Sequence, residues 1–238
     1  DLPGAVIKDA PPRRLAHLYF EKDSYYLFSK GKLTTLFKDF SPWGFNQKQY
    51  PMHPNTTLHS IGGLYLAVSV YVFNGFEDPG KLMGLAPYGR PGKIDLPIFK
   101  CRGGRVFVDY AWMKDFLRPC RDAGQFEEHF QYYADIAYWV QREVERAVLY
   151  VVTDRYRRAP HSNLCYAGGV ALNAVANSRI QTEAKFRNIY IQPAAGDNGL
   201  AAGCAYYGWL NALGGPRVMH DQSVYLGASY DESRMGRA

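Results

Sequence analysis

Three short segments of this chain place glycines and polar side chains at spacings that can do chemistry. In the first, Leu164-Cys-Tyr-Ala-Gly-Gly-Val-Ala-Leu-Asn173, a strand ends in Gly168-Gly169 and a helix begins. Paired glycines let backbone N–H groups approach an anion or a ribose closely, and Asn173 on the first helical turn points back at that place. The alternative is a glycine turn required for packing, with Asn173 exposed. The segment is neither a Walker loop nor a GxGxxG, so nucleotide binding and packing both stay open.

The second segment, Gln192-Pro-Ala-Ala-Gly-Asp-Asn-Gly199, is again a strand end followed by a helix of small residues. Asp197 at that helix start reads as an N-cap, or as a carboxylate held where a metal or phosphate sits. The third runs from Glu77 to Gly89, where Glu77, Asp78 and Lys81 stand among turn-forming residues. Glu77 and Asp78 offer acceptors for ribose hydroxyls and Lys81 a cation for phosphate; a solvated turn is the plainer reading.

Other reactive types carry less. His53 and His59 match neither HxxxH nor HExxH, and His17, His129, His161 and His220 stand apart. No GxSxG occurs, no cysteine has an activating neighbour, and no paired-carboxylate pattern stands out.

The elements that must position these groups are legible in the periodicity. Runs at Leu15 to Phe20, Tyr25 to Phe28 and Lys32 to Phe37, around Ser29-Lys30-Gly31, predict a hairpin or meander. Residues 40 to 58 read as a long loop, and Gly62 to Asn74 as a helix apolar nearly all round. A strand is expected over Arg105 to Tyr110, and a long amphipathic helix over Phe126 to Arg157. One face of that helix carries Phe130, Ala134, Ala137, Val140, Val144, Ala147 and Val151. Gln141, Arg142, Glu143, Glu145 and Arg146 are expected to face solvent.

The last third predicts strand 163–166, helix 170–184, strand 188–192 and helix 197–213. This α/β alternation places ligands at the carboxyl ends of the strands. The loops 40–58 and 90–125 are expected to shape any pocket there.

At 238 residues the chain can bury a sizeable core. Its net charge of +6 favours anionic partners, but the densest basic group, Arg155, Arg157 and Arg158, sits at a helix end, where it complements the helix dipole. Cys101, Cys120, Cys165 and Cys204 form no CxxC pair, which predicts buried thiols in a reducing, cytoplasmic setting. No apolar run is long enough to span a membrane. The start, Asp1-Leu-Pro-Gly, suggests a fragment or processed product.

Taken in order, His59-Ser-Ile-Gly-Gly-Leu-Tyr65, Lys81-Leu-Met-Gly-Leu-Ala-Pro-Tyr-Gly89, Ala167-Gly-Gly-Val-Ala-Leu-Asn173, Ala195-Gly-Asp-Asn-Gly199 and Tyr225-Leu-Gly227 resemble the carbamoyltransferase family of nodulation-factor, aminoglycoside, cephamycin and ansamycin enzymes. More distantly they resemble the tRNA threonylcarbamoyltransferases. The resemblance implies an actin-like ATPase (ribonuclease H-like) α/β domain over residues 1–238, a mixed sheet with flanking helices. It also implies a missing N-terminal half-domain bearing an HxxxH metal element and a missing C-terminal adenylate-forming domain, in the same or a partner chain.

The implied activity is transfer of a carbamoyl group, from carbamoyl adenylate made with carbamoyl phosphate and ATP, to a small-molecule hydroxyl. The alternatives are threonylcarbamoyl transfer to tRNA adenosine and a non-catalytic nucleotide-binding subunit. By the same resemblance Asp197 is a ligand of an active-site iron (Fe2+), and Gly168, Gly169 and Asn173 contact nucleotide or acyl adenylate. Gly89 and Glu77 fall near further substrate contacts, with Asp78 and Lys81 beside them. Mg2+ is a candidate companion of the nucleotide; no membrane or nucleic-acid partner is expected. A single carboxylate does not hold a catalytic metal, so these residues alone are not expected to complete the reaction.

Overall fold

The structure, a computed structural model, describes residues 19–42, 60–75, 77–109, 116–219 and 223. Of the loop expected over 40–58, residues 40–42 instead continue a strand, and 43–58, together with His17, His53, His59, His220 and Tyr225-Leu-Gly227, lie outside the described residues.

Strands β1 (Tyr19–Ser29) and β2 (Lys32–Pro42) pair antiparallel, with irregular register between Glu21 and Asp23 and between Tyr25 and Tyr26. Lys30 and Gly31 both have positive φ, +50° and +78°, the geometry of a two-residue turn that matches the twist of a hairpin. A second hairpin joins β3 (Phe99–Arg102) to β4 (Arg105–Val108) through Gly103 and Gly104, again both at positive φ. The strand expected over 105–110 is therefore one arm of a hairpin, and the Gly-Gly dipeptide was its signal.

Helix α1 (Ile61–Val72) begins at Ser60, whose hydroxyl accepts from Gly63 N at 3.1 Å, and is buried on nearly every side. Where turns were expected near Leu82, the chain instead forms helix α2 (Pro79–Leu85) and a 3-10 turn, Ala86–Tyr88. Pro79 opens that helix, where its missing N–H is not needed, and Asp78 caps it. Short helix α3 (Ala123–Glu128) leads into α4 (Phe130–Arg158), the 29-residue axis of the molecule.

Helix α4 supplies the centre of the core. Tyr133, Ile136, Val140 and Val144 are all buried there, against Leu64, Val68 and Val72 of α1, Leu82 of α2 and Ile98. Of the predicted apolar stripe, Ala134, Ala137, Val140, Val144 and Ala147 are buried, while Phe130 and Val151 sit at its margin. The opposite assignment needs correction: Gln141 and Glu145 do not face solvent but are 3% and 1% exposed. Arg142 and Arg146 are exposed as expected.

Strands β5 (Asn163–Tyr166) and β6 (Asn188–Ile191) pair in parallel, joined through a 3-10 turn, Gly169–Leu172, and helix α5 (Ala174–Glu183). The single helix expected over 170–184 is thus split, because Asn173 interrupts it as the cap of α5. Parallel pairing requires such a crossover. Helix α6 (Asn198–Tyr207) follows and ends in a wider turn, Gly208–Ala212.

The chain is α/β, but in place of one mixed sheet the described residues form three separate strand pairs. One further expectation changes: Cys165 and Cys204 are exposed, Cys101 is half-buried and only Cys120 is buried. The basic cluster lies in the last turn of α4, as expected, and two of its members are also paired. Arg155 is buried over the Phe37 ring, 3.8 Å from its centroid, and pairs with Asp23 and Asp154; Arg158 pairs with Asp154. No helix among the described residues is long and apolar enough to cross a membrane.

Candidate functional site

The parallel pair β5–β6 brings two glycine-containing turns to one edge, since both strands end there. Gly168 has φ +109° and ψ 164°, a conformation open in practice only to glycine. Its N–H donates to Ala195 O at 2.8 Å, which fastens the first turn to the second. Gly168, Gly169 and Leu172 are exposed, while Ala171 beneath them is buried. The second turn is equally constrained: a Cβ on Gly199 would lie 2.3 Å from Ala194 O, and one on Gly196 would lie 3.3 Å from Leu172.

The 168–173 turn rests on α1 and α4. A Cβ on Gly62 would approach Val170 to 3.2 Å, so the Gly62-Gly63-Leu64-Tyr65 segment is shaped to receive the turn. Asn173 is buried, contrary to the exposed alternative, and caps α5 by accepting from Ala176 N at 3.0 Å. It also exchanges two hydrogen bonds with Gln141: Asn173 Nδ2 donates to Gln141 Oε1 and Gln141 Nε2 donates to Asn173 Oδ1, each at 3.0 Å. Tyr65 Oη donates to the same Oε1 at 2.7 Å, and Gln141 Nε2 donates to Glu145 Oε1 at 3.2 Å. Burial pushes the Tyr65 phenol up, with the Glu145 charge adding to it, so it stays a donor. Glu145 is balanced by Arg142 at 2.7 Å and Arg179 at 3.3 Å.

Asp197 stands two residues beyond Ala195, on the exposed start of α6. Its backbone is already helical, φ −59° and ψ −30°, and its carboxylate makes no capping hydrogen bond. The N-cap reading is therefore not realised. Among the described residues no three His, Cys, Asp or Glu side chains come together to hold a metal ion. Asp197 thus has no such group around it among the described residues.

The third segment is placed elsewhere. Asp78 accepts from Lys81 N at 2.8 Å and pairs with Lys81 Nζ at 2.7 Å, so these two groups engage each other. The hydrogen bonds from Lys81 hold the Asp78 carboxyl below the usual range. Glu77 is exposed beside them. Gly89 packs against α4, where a Cβ would lie 2.3 Å from Ala134 O. Helix α2 and its following turn pack on α1 and α4; the 169–172 turn packs on α1 and α5. The two candidate regions share the floor of α1, with no described contact drawing Lys81 to the glycine turns.

Reading along the chain missed Gln141, Glu145, Arg90 and Asp135. Arg90 clamps Asp135 of α4, with its backbone N–H at 2.8 Å from Oδ1 and Nη2 at 2.6 Å from Oδ2. Burial pushes the Asp135 carboxyl up, but the bonds from Arg90 and Gln131 outweigh it and hold the group below its ordinary 3.8. A carboxylate so depressed in the fold adds stability above its unfolded value and loses it as pH falls through the folded one. In Arg90→Met the acid-unfolding midpoint, followed by intrinsic fluorescence, is therefore expected at higher pH than in the parent. An unchanged midpoint would show that the clamp contributes nothing.

A cleft of about 290 Å3 opens along α4 between Ile94, Leu96, Trp139 and Arg146. Its two arginines are paired, Arg146 with Glu143 at 2.8 Å and Arg142 with Glu145, so neither is a free cation for an anion.

The family profile described as Carbamoyltransferase N-terminus matches residues 21–206, which contain both glycine turns, α4 and Asp197. An uncharacterized protein of Synechocystis is 36% identical over 187 residues, covering 71% of this chain and 30% of its own length. The nodulation protein NolNO of Sinorhizobium fredii is 33% identical over 183 residues, 74% of this chain and 26% of its length. NolO of Bradyrhizobium diazoefficiens is 31% identical over 153 residues, 62% of this chain and 28% of its length. The chain thus spans less than a third of the length of the curated relatives it matches. A profile match across most of the sequence, on the segments that build the paired turns, shows that the chain belongs to the carbamoyltransferase family.

Proposed function

We propose that these residues form the donor-binding part of an O-carbamoyltransferase, in an actin-like ATPase domain, and that the paired turns 168–173 and 194–199 receive carbamoyl adenylate. The observation that carries this reading is the Gly168 N to Ala195 O hydrogen bond. It holds two glycine turns side by side at the carboxyl ends of parallel strands, where backbone N–H groups can meet an anionic donor.

In the transfer step the acceptor hydroxyl oxygen attacks the carbamoyl carbon and forms the new C–O bond. The bond from that carbon to the AMP phosphate oxygen breaks, AMP leaves with the electron pair, and the hydroxyl proton passes to solvent or a base. The turns bind and orient the donor, and their N–H groups stabilise charge on the departing phosphate. Iron remains part of the proposal only through Asp197, as one ligand of a set completed by residues outside those described. Mg2+ beside the nucleotide, and completion of the reaction by domains in the same or a partner chain, belong to the same reading.

The test uses the full-length protein with ATP, carbamoyl phosphate, a panel of small hydroxylated molecules and, separately, tRNA, with products read by mass spectrometry. A carbamate ester on a small-molecule hydroxyl is expected. Gly168→Val, which cannot adopt φ +109° without strain, is expected to lower that transfer by about a hundredfold. Release of pyrophosphate from ATP should be unchanged in that variant. Modification of tRNA adenosine, or the absence of any carbamoylated product, would overturn the reading.

A further inference from the structure

We propose that Gln141 is a positioning residue for the donor site: from the rigid helix α4 it holds Asn173, and through Asn173 the Gly168–Leu172 turn, in the geometry that receives the donor. The proposal rests on the reading of that turn as the donor site.

The orientation of the Gln141 amide is over-determined. Asn173 Oδ1 must be the acceptor face of its amide, because it takes the Ala176 N–H, a group that can only donate. The Glu145 carboxylate can only accept when ionised, so the Gln141 atom 3.2 Å from it must be the nitrogen. Both conditions set Nε2 toward Asn173 Oδ1 and Glu145, and Oε1 toward Asn173 Nδ2 and Tyr65 Oη. No flipped arrangement satisfies all four bonds. One buried amide therefore joins α1, α4 and the start of α5.

The outer residues of the turn above this joint, Gly168, Gly169 and Leu172, are exposed. Its directional anchors are the Gly168 N–H bond to Ala195 O at its start, the Asn177 Nδ2 bond to Ala171 O at 2.7 Å, and the Asn173 side chain at its end, while Val170 packs against Gly62. Asn173 is the anchor that ties the turn to α4, and it does so through Gln141. Burying Glu145 with Arg142 and Arg179 carries a desolvation cost that an apolar side chain would avoid. An apolar residue at 141 could fill the same space, but it would leave Asn173 Nδ2 buried without its acceptor, and the Ala176 N–H as the one remaining bond that orients the amide. Active-site geometry tolerates little such freedom: displacement by about 1 Å can cost a hundredfold in rate.

The experiment compares carbamoyl transfer with carbamoyl-phosphate-dependent pyrophosphate release from ATP in the full-length protein. In Gln141→Met, transfer is expected to fall at least about tenfold while pyrophosphate release stays at the parent level. Pyrophosphate release belongs to the separate adenylate-forming domain, so the folded fraction of this domain is read from its own urea-unfolding transition: a purely structural role lowers transfer only in proportion to that fraction, whereas the positioning role lowers transfer with the fraction unchanged. Tyr65→Phe removes one hydroxyl from the same Oε1 with little change in volume, and is expected to slow transfer about threefold with pyrophosphate release again unchanged. This milder variant decides the matter if Gln141→Met does not fold. A loss of transfer that matches the loss of folded fraction, or no loss of transfer, would overturn the role of Gln141. If Gly168→Val leaves transfer intact, the donor site itself is misassigned; if Gly168→Val abolishes it and the Gln141 and Tyr65 variants do not, only the positioning role fails.

Discussion

Replacing Gly89 by valine is expected to destabilise the full-length protein by about 3 kcal/mol or more, measured by urea unfolding. A Cβ at this position would lie 2.3 Å from Ala134 O and 2.4 Å from Tyr138 Cβ, inside the contact radius of backbone that α4 cannot move. Gly89 is where the chain leaves the 86–88 turn and lies against α4, one residue before Arg90 clamps Asp135. A side chain there would lift the whole Lys81-to-Gly89 segment from the core. Gly84→Ala is the matched control: nothing lies within 4 Å of its would-be Cβ, and it sits within α2. That substitution should stabilise by about 0.5–1 kcal/mol through helix propensity and a less flexible unfolded chain. Similar effects at the two positions would refute the close approach at Gly89.

Arg155→Met is expected to cost about 3–5 kcal/mol, because it leaves a mostly buried carboxylate without its cation. Arg155 is itself buried, stacked on Phe37 and paired with Asp23, and so ties the first hairpin to the end of α4. Burial already pushes the Asp23 carboxyl above its ordinary 3.8, with Asp39 adding to this while Arg155 and Lys22 oppose it. A carboxyl raised in the folded state costs stability above its folded pKa and nothing below its unfolded one. Losing Arg155 raises Asp23 further. The deficit of the variant, measured by denaturant unfolding, should therefore be largest near neutral pH and shrink as pH falls toward that of the protonated acid. Adding Asp23→Leu should recover part of it at neutral pH. A deficit that is flat with pH, with no recovery in the double variant, would mean that Arg155 acts by packing over Phe37 alone.

The parts of the molecule set by local spacing could be read along the chain. Ser29-Lys30-Gly31 between β-rich runs marks a hairpin, the apolar run after Gly62 marks a buried helix, and Gly168-Gly169 after a short apolar run marks a strand-to-helix turn. The glycine turns at the ends of β5 and β6 belong to this class, because a βαβ unit brings its strand ends to one edge whatever surrounds it. The Gly103-Gly104 hairpin is equally local, but its first arm, Phe-Lys-Cys-Arg, carries one strong strand former where the second, Arg-Val-Phe-Val, carries three.

Gln141, Glu145 and Asn173 belong to another class. Polar residues beside the apolar stripe of an amphipathic helix read as its wet face, and for Arg142 and Arg146 that is correct. Whether Gln141 and Glu145 join them depends on whether another element lies over that part of α4. The element that does is the start of α5, whose Asn173 is 32 residues away in sequence, met on the other side by Tyr65, 76 residues before Gln141. Asp197 shows the converse: its type and place at a helix start suggest a cap, yet the backbone there is already helical and the carboxylate caps nothing. The sequence alone thus determined the family segments, the first hairpin, the glycine turns at the strand ends and the helices α1 and α4, since these follow from residue type over a few positions. Which polar groups are buried, and which carboxylate is left exposed, was settled by packing between distant segments, because burial and hydrogen bonding depend on pairs of surfaces that no single stretch of chain contains.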